Sequence, residues 1–262
     1  MSGKMDNAPE WRSLLDRLIE KCKTTFGTSV ALEDDKGTKF PTVWALALLA
    51  RTISNIEAAR ILLDTNHPME ARTLVRCCWE NFFCTAAIAK TGDAFLEKLD
   101  LDHGASQRKQ AQRLRDFATN YGGGDVEVGK ALSSFAEVME KEYPKAAFLN
   151  HQRTAEDGTV GEGYVIYNVL SNDAAHPSIT SLNRHILSMG RGNWTISANP
   201  PIDQYESIQT LQLACSAVLG VCVAFYEVFG GGETGETLAS LGDEFTRLTD
   251  ASKAAEKSLR AI

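Results

Sequence analysis

Residues Leu74–Ala89 read LVRCCWENFFCTAAIA, and only Arg76, Glu80, Asn81 and Thr85 among them are polar. A helix that is apolar nearly all round has no face to offer water, so it lies buried between neighbouring helices. Charges within such a helix are costly unless they are paired. Arg76 and Glu80 stand four residues apart and are therefore adjacent on one face. The expectation is a buried ion pair, or two groups presented to a polar cavity.

Outward from this stretch the same periodicity recurs. The helix over Met69 to Lys90 begins after Asn66-His67-Pro68, which stops an earlier helix running from Pro41. That earlier helix carries Leu46, Leu49, Ile53, Ile56 and Leu63 at three- and four-residue spacing, and Trp11 to Phe26 forms a shorter amphipathic one. Glu33–Gly37 reads as a loop between them. Downstream, helix is expected over Gly92–Asn120, then a break at Gly122–Gly124. Val126–Tyr143 is again helical and is ended by Pro144. A polar loop follows from Asn150 to Gly163. Tyr164–Asn172 is a short helix, closed by the Asp173–Pro177 segment because a residue before proline is pushed out of the helical region. Another helix runs to about Leu187, and a minor β-hairpin is expected within 188–198, through Trp194 and Ile196. Asp203–Phe229 is a long buried helix. Its most apolar run, Leu213–Tyr226, is shorter than the roughly 18–20 residues that cross a bilayer.

The pattern specifies an all-α protein, a single multi-helix bundle over residues 1–230. Gly230–Gly232 is a hinge, and residues 233–262 are a C-terminal amphipathic helix. In that tail Leu238, Leu241, Phe245, Leu248, Ser252, Ala255, Leu259 and Ile262 keep a strict 3-4 spacing, the seam of a coiled-coil-like helix. Such a seam either packs on its own domain or joins two chains, so a homo-oligomer, with a dimer through 238–262, is expected.

The totals narrow the function classes. The chain has 262 residues, 44% of them apolar, with 27 basic against 34 acidic side chains for a net charge of −7. Generic nucleic-acid binding needs positive potential, which leaves RNA to one local patch at Arg108, Lys109, Arg113 and Arg115. Cysteines 22, 77, 78, 84, 215 and 222 form no Cys-x-x-Cys pair and no zinc spacing, so no metal and no cofactor is expected. The N-terminus MSGKMDNAPE has no apolar run. A cytoplasmic protein with reduced core thiols and no membrane contact follows from these features.

The proton-handling groups concentrate elsewhere. Tyr164, Tyr167 and Ser171 fall on one side of a helix, and His176 follows at a turn stiffened by Pro177. A histidine there has the pKa range of a general acid or base. The alternative is a polar seam in which each group is hydrogen-bonded to a neighbour. Ser171, Asp173 and His176 are too close in sequence to align as a triad, and no Gly-x-Ser-x-Gly elbow exists.

Glu70-Ala-x-x-Leu74-x-Arg76-x-x-x-Glu80, followed by Tyr167-x-x-Leu170-Ser171-x-x-x-x-His176-Pro177-Ser178, resembles a widespread bacterial all-helical family filed only as a domain of unknown function. The resemblance covers roughly residues 40–230 and implies that Arg76, Glu80, Ser171 and His176 share one cluster. A more distant likeness is to HEPN-type helical nucleases of toxin and phage-defence systems. Those place an Arg and a His on one helix to cleave RNA without metal. This chain departs from that pattern: Leu170, Ser171 and Asn172 hold the arginine positions upstream of His176. Arg60 and His67 match the spacing only by coincidence, with Ile61 between them and Pro68 next.

Two functions are therefore expected. The first is a non-catalytic binding or sensor module of a defence or regulatory system. The second is a metal-independent RNA-cleaving enzyme. There His176 would be the acid/base, Arg76 would hold phosphate, Glu80 would orient Arg76, and Tyr167 and Ser171 would be positioning groups.

Overall fold

In the computed structural model, the described residues are 7–29, 40–120, 126–172, 178–198, 200, 201, 203–231 and 235–260. Among the described residues, ten helices and one small antiparallel ribbon make an all-α protein. The helices are α1 (Ala8–Thr28), α2 (Pro41–Asp64), α3 (Pro68–Thr91), α4 (Asp93–Asn120), α5 (Val126–Glu142), α6 (His151–Asp157), α7 (Gly163–Leu170), α8 (Ile179–Asn183), α9 (Gln204–Val228) and α10 (Gly235–Arg260). The ribbon is β1 (Ile186–Gly190) with β2 (Asn193–Ile196).

The nearly all-apolar α3 sits at the centre, packed on α2 and α9 and touched by α6 and α7. Its buried polar residues, Arg72, Asn81 and Thr85, find partners. Asn81 Nδ2 donates to Thr52 Oγ1 of α2 at 3.0 Å, and Thr85 Oγ1 donates to its own helix at Asn81 O. Trp79 Nε1 donates to Leu213 O of α9 at 3.2 Å. Arg72, fully buried, donates to Thr210 Oγ1 at 3.0 Å and Gln209 Oε1 at 2.6 Å, tying α3 to α9. One core cluster links α1, α2, α3, α7, α9 and α10 through side chains such as Leu14, Leu49, Val75, Leu170, Val218 and Leu248.

α9 is long and apolar enough by length and composition to cross a membrane, yet more than half of its apolar stretch is buried inside the protein. It packs against α1, α2, α3 and α10. Close approach to α3 is permitted by Gly220, which lies beneath the Phe82 ring.

The heptad seam of α10 packs inward. Leu238, Leu241 and Leu248 are buried, Phe245 meets Trp11 edge-on with ring centres 5.5 Å apart, and Ser252 Oγ accepts from Asn7 Nδ2 at 2.8 Å. Arg17 of α1 adds an ion pair to Glu244 at 2.5 Å. The seam as far as Ser252 is thus occupied within the chain's own fold. The side chains of Ala255 and Leu259, and residue Ile262, lie outside the described residues.

Three expected elements differ in the structure. The polar stretch 150–163 contains α6, because Asn150 caps it by accepting from Arg153 N at 3.0 Å. The helix expected to reach Leu187 ends at Asn183, and Ile186–Gly190 is strand, its β-branched and apolar residues pairing with β2. The hairpin therefore starts earlier than expected, with Ile186 opposite Ile196 and Ser188 opposite Trp194. The expected loop at Glu33–Gly37, the break at Gly122–Gly124 and the Asp173–Pro177 turn lie outside the described residues.

Candidate functional site

The site grows from one face of α3. Arg76 Nη2 is 2.8 Å from Glu80 Oε1, the pairing that four-residue spacing demands. The same nitrogen donates to the Tyr167 hydroxyl at 3.0 Å, and the guanidinium carbon stands 5.0 Å from the Tyr167 ring centre. Arg76 and Tyr167 are ninety-one positions apart in sequence, so this contact belongs to tertiary structure. Burial works against the Arg76 charge, but the Tyr167 hydroxyl and then Glu80 outweigh it and hold its pKa above the ordinary arginine value.

Two glycines bring the partner helices this close. An added Cβ at Gly163, the first residue of α7, would stand 2.7 Å from Trp79 Cζ3 and 3.1 Å from Phe83 Cε1. At Gly158, which caps α6, it would stand 2.9 Å from the Ala87 backbone nitrogen. Both helix ends lie directly on α3.

α6 delivers a residue that sequence reading missed. His151, its first residue, has Nε2 3.9 Å from Glu80 Oε1 and its ring centre 5.1 Å from that of Tyr167. Tyr164 stacks on Tyr167 with ring centres 5.6 Å apart. The sequence reads Asn150–Gly163 as a polar loop, and nothing local says that a cap at Asn150 aims His151 at a helix seventy residues upstream. The segment is further fixed from α4, where Asp102 Oδ1 accepts from Leu149 N at 2.8 Å.

Of the expected set, Arg76, Glu80 and Tyr167 therefore meet. Ser171 follows Tyr167 by one turn, where α7 widens into a looser coil over Ser171–Asn172, and its buried Oγ has no hydrogen-bond partner among the described residues. His176 lies outside the described residues. Arg76 and Glu80 side chains are about one-fifth exposed and that of His151 two-fifths. The cluster is a seam that reaches the surface, not a sealed core.

A separate cleft of about 790 Å³ opens at the N-terminal end of α3. One wall is the α2–α3 turn with His67, Met69 and Glu70. The other holds Arg184, His185 and Glu206. Arg184 Nη1 contacts both Glu206 carboxylate oxygens at 2.6 Å. His185 Nδ1 is 2.8 Å from Ser197 O, and a carbonyl can only accept, so Nδ1 is the donor in this contact.

The remaining motifs take ordinary places. Arg60 bonds Asp16 and also pairs with Asp64, while His67 lies at the cleft. In the basic stretch of α4, Arg108 reaches Glu140 at 3.3 Å and Lys109 covers the Phe148 ring at 4.9 Å. Among the described residues, no three His, Cys, Asp or Glu side chains converge as metal ligands.

The fold and this seam define a class: an all-α bundle whose central apolar helix carries the Arg76–Glu80 ion pair, bridged by a tyrosine and faced by a histidine. Residues 42–193 match the model of the Family of unknown function (DUF5677), and the chain belongs to that family. The match takes in Arg76, Glu80, His151, Tyr167, Ser171 and His176. It ends before α9, short of the extent to about residue 230 that the motifs suggested. No curated protein and no solved structure matches the chain.

Proposed function

We propose that this chain is a non-catalytic binding or sensor module, acting in the cytosol within a regulatory or defence system. The observation that carries this is the commitment of Arg76. Its charge is answered by Glu80, its Nη2 by the Tyr167 hydroxyl and its face by the Tyr167 ring. A guanidinium so engaged has little charge left for a phosphate, and its loss would loosen α7 from α3. The cleft beside His67 and His185 gives the module a place for a small polar molecule. Its volume lies in the roughly 300–1,000 Å³ range of ligand sites.

A second function has one observation in its favour, the presence of His151 against Glu80. A histidine beside an arginine and a tyrosine is the outfit for metal-free RNA cleavage, with Arg76 on phosphate and His151, or His176 as first expected, moving the proton. One experiment separates the two. Purified protein is incubated with single-stranded RNA in chelator, beside Arg76→Ala, His151→Ala and His176→Ala. The binding module leaves RNA intact in every sample, and Arg76→Ala lowers the melting temperature. Cleavage by wild type that disappears in a histidine variant would replace this proposal with the enzyme.

A further inference from the structure

The ribbon formed by β1 and β2 is bare. Every residue of β2 is exposed, as is all of β1 except Leu187, which is only partly covered. Two-stranded ribbons have marginal stability in water unless something packs on them. This one carries the residues that would make such packing favourable. Its register puts Ile186 opposite Ile196 and Ser188 opposite Trp194, so Ile186, Trp194 and Ile196 line one face. Ile196 is 72% exposed, Trp194 66% and Met189 68%. The adjoining short helix α8 adds Ile179 at 79% and Leu182 at 52%, three residues apart and hence on one side.

Surface area and charge together point to the occupant. Five large apolar side chains about three-fifths exposed, Ile186, Trp194 and Ile196 on one ribbon face with Ile179 and Leu182 of α8, present on the order of 300 Å² of apolar surface. A specific interface buries about 800 Å² per partner, a little over half of it apolar. The arm alone thus supplies about two-thirds of the apolar share of one side of a standard dimer. Its charge fits a copy of itself: within 186–198 the only charged residue is Arg191, at the turn. Two chains of net charge −7 repel over most of their surfaces, and on this patch, whose one charge sits at the turn away from Ile186 and Ile196, they can meet with few opposing like charges. An uncharged apolar face is also self-complementary, which a twofold contact requires.

We propose that a second copy of this chain covers the arm, with the apolar faces of the two ribbons packed on each other about a twofold axis and Trp194 and Ile196 of each at the centre. The dimer contact is thereby placed on β1, β2 and α8, away from the C-terminal seam.

Light scattering coupled to size-exclusion chromatography tests this on the full chain, from about 1 to about 100 µM, the span of transient to moderate affinities. The mass of wild type rises towards twice 28.6 kDa. The double variant Trp194→Glu, Ile196→Glu stays at the single-chain mass throughout, with unchanged helical circular dichroism because both side chains face water. Phe117→Glu, on exposed α4 surface, still dimerises. Wild type that remains a single chain at the highest concentration, or a double variant that still dimerises, overturns the proposal. Should the double variant misfold, hydrogen exchange on wild type decides. Amides of 186–196 exchange more slowly as concentration rises if the arms pack together, and equal rates at both ends of the range overturn it.

Discussion

Exchanging one glycine for alanine at two positions of this chain should change stability in opposite directions. In an open helix the change is favourable by about 0.5–1 kcal/mol, because glycine loses more backbone entropy on folding. Gly129, within α5, meets nothing within 4 Å at its added Cβ, so Gly129→Ala should gain that amount. Gly163 opens α7 and would place its Cβ 2.7 Å from Trp79 Cζ3 and 3.1 Å from Phe83 Cε1. Neither ring has room to withdraw: Trp79 is held by its bond to Leu213 O, and Phe83 is fully buried. Overpacking of this kind costs about 1–3 kcal/mol, which exceeds the helical gain and leaves a net loss of about 1–2 kcal/mol. At about 2–4 °C per kcal/mol for a chain this long, Gly163→Ala melts roughly 2–8 °C lower and Gly129→Ala about 1–4 °C higher. Scanning calorimetry gives both values, and hydrogen exchange over α7 shows whether the loss is local. A Gly163→Ala protein as stable as wild type or more so would refute the seating of α7 on α3, and with it the placement of Tyr167 over Arg76.

Leu248 is fully buried where α10 meets the bundle, so Leu248→Ala should cost about 2–5 kcal/mol and melt roughly 4–20 °C lower. An unchanged melt would return the heptad seam to an intermolecular role. The Arg17 hydrogen bond and charge hold the Glu244 carboxyl below its usual range. The Arg17–Glu244 contribution is therefore complete above the ordinary glutamate pKa of about 4.3 and is lost as pH falls through the lower folded value. Glu244→Gln should flatten the acid side of the stability profile between pH 5 and pH 3 by about that contribution, and identical profiles would dismiss the pair. Burial raises the Cys84 thiol to about 12 and lifts Cys78 and Cys215 well beyond the usual range. Cys22, 3.2 Å from Cys222, is lifted by that contact and by burial. An aromatic disulfide reagent at neutral pH should thus react quickly with Cys77 at most, and with all six thiols after unfolding. Several fast thiols in the native protein would contradict the buried placement.

The helices were legible because their signals are local. Apolar spacing marked α1, α2, α3 and α9, and prolines 41 and 68 marked the starts of α2 and α3. The ion pair of Arg76 with Glu80 was legible for the same reason, since helical geometry alone makes i and i+4 neighbours. α6 was hidden because it has only seven residues and no apolar period, its order coming from the Asn150 cap and from contact with α3. The start of β1 was hidden too, since a short run such as Ile186–Leu187 suits helix or strand until a partner strand is in place.

The division follows from the range of the forces. Composition and periodicity by themselves determined an all-α bundle with α3 and α9 buried, because hydrophobic burial is read off spacing along one helix. Tertiary structure decided what those helices present. It placed Tyr167 over Arg76 and His151 beside Glu80, turned the heptad seam of α10 inward onto Trp11, and left Trp194 and Ile196 in water. Each of these depends on side chains tens to hundreds of positions apart, brought together where small residues such as Gly163 let two helices touch. Spacing within one segment carries no information about a contact of that kind.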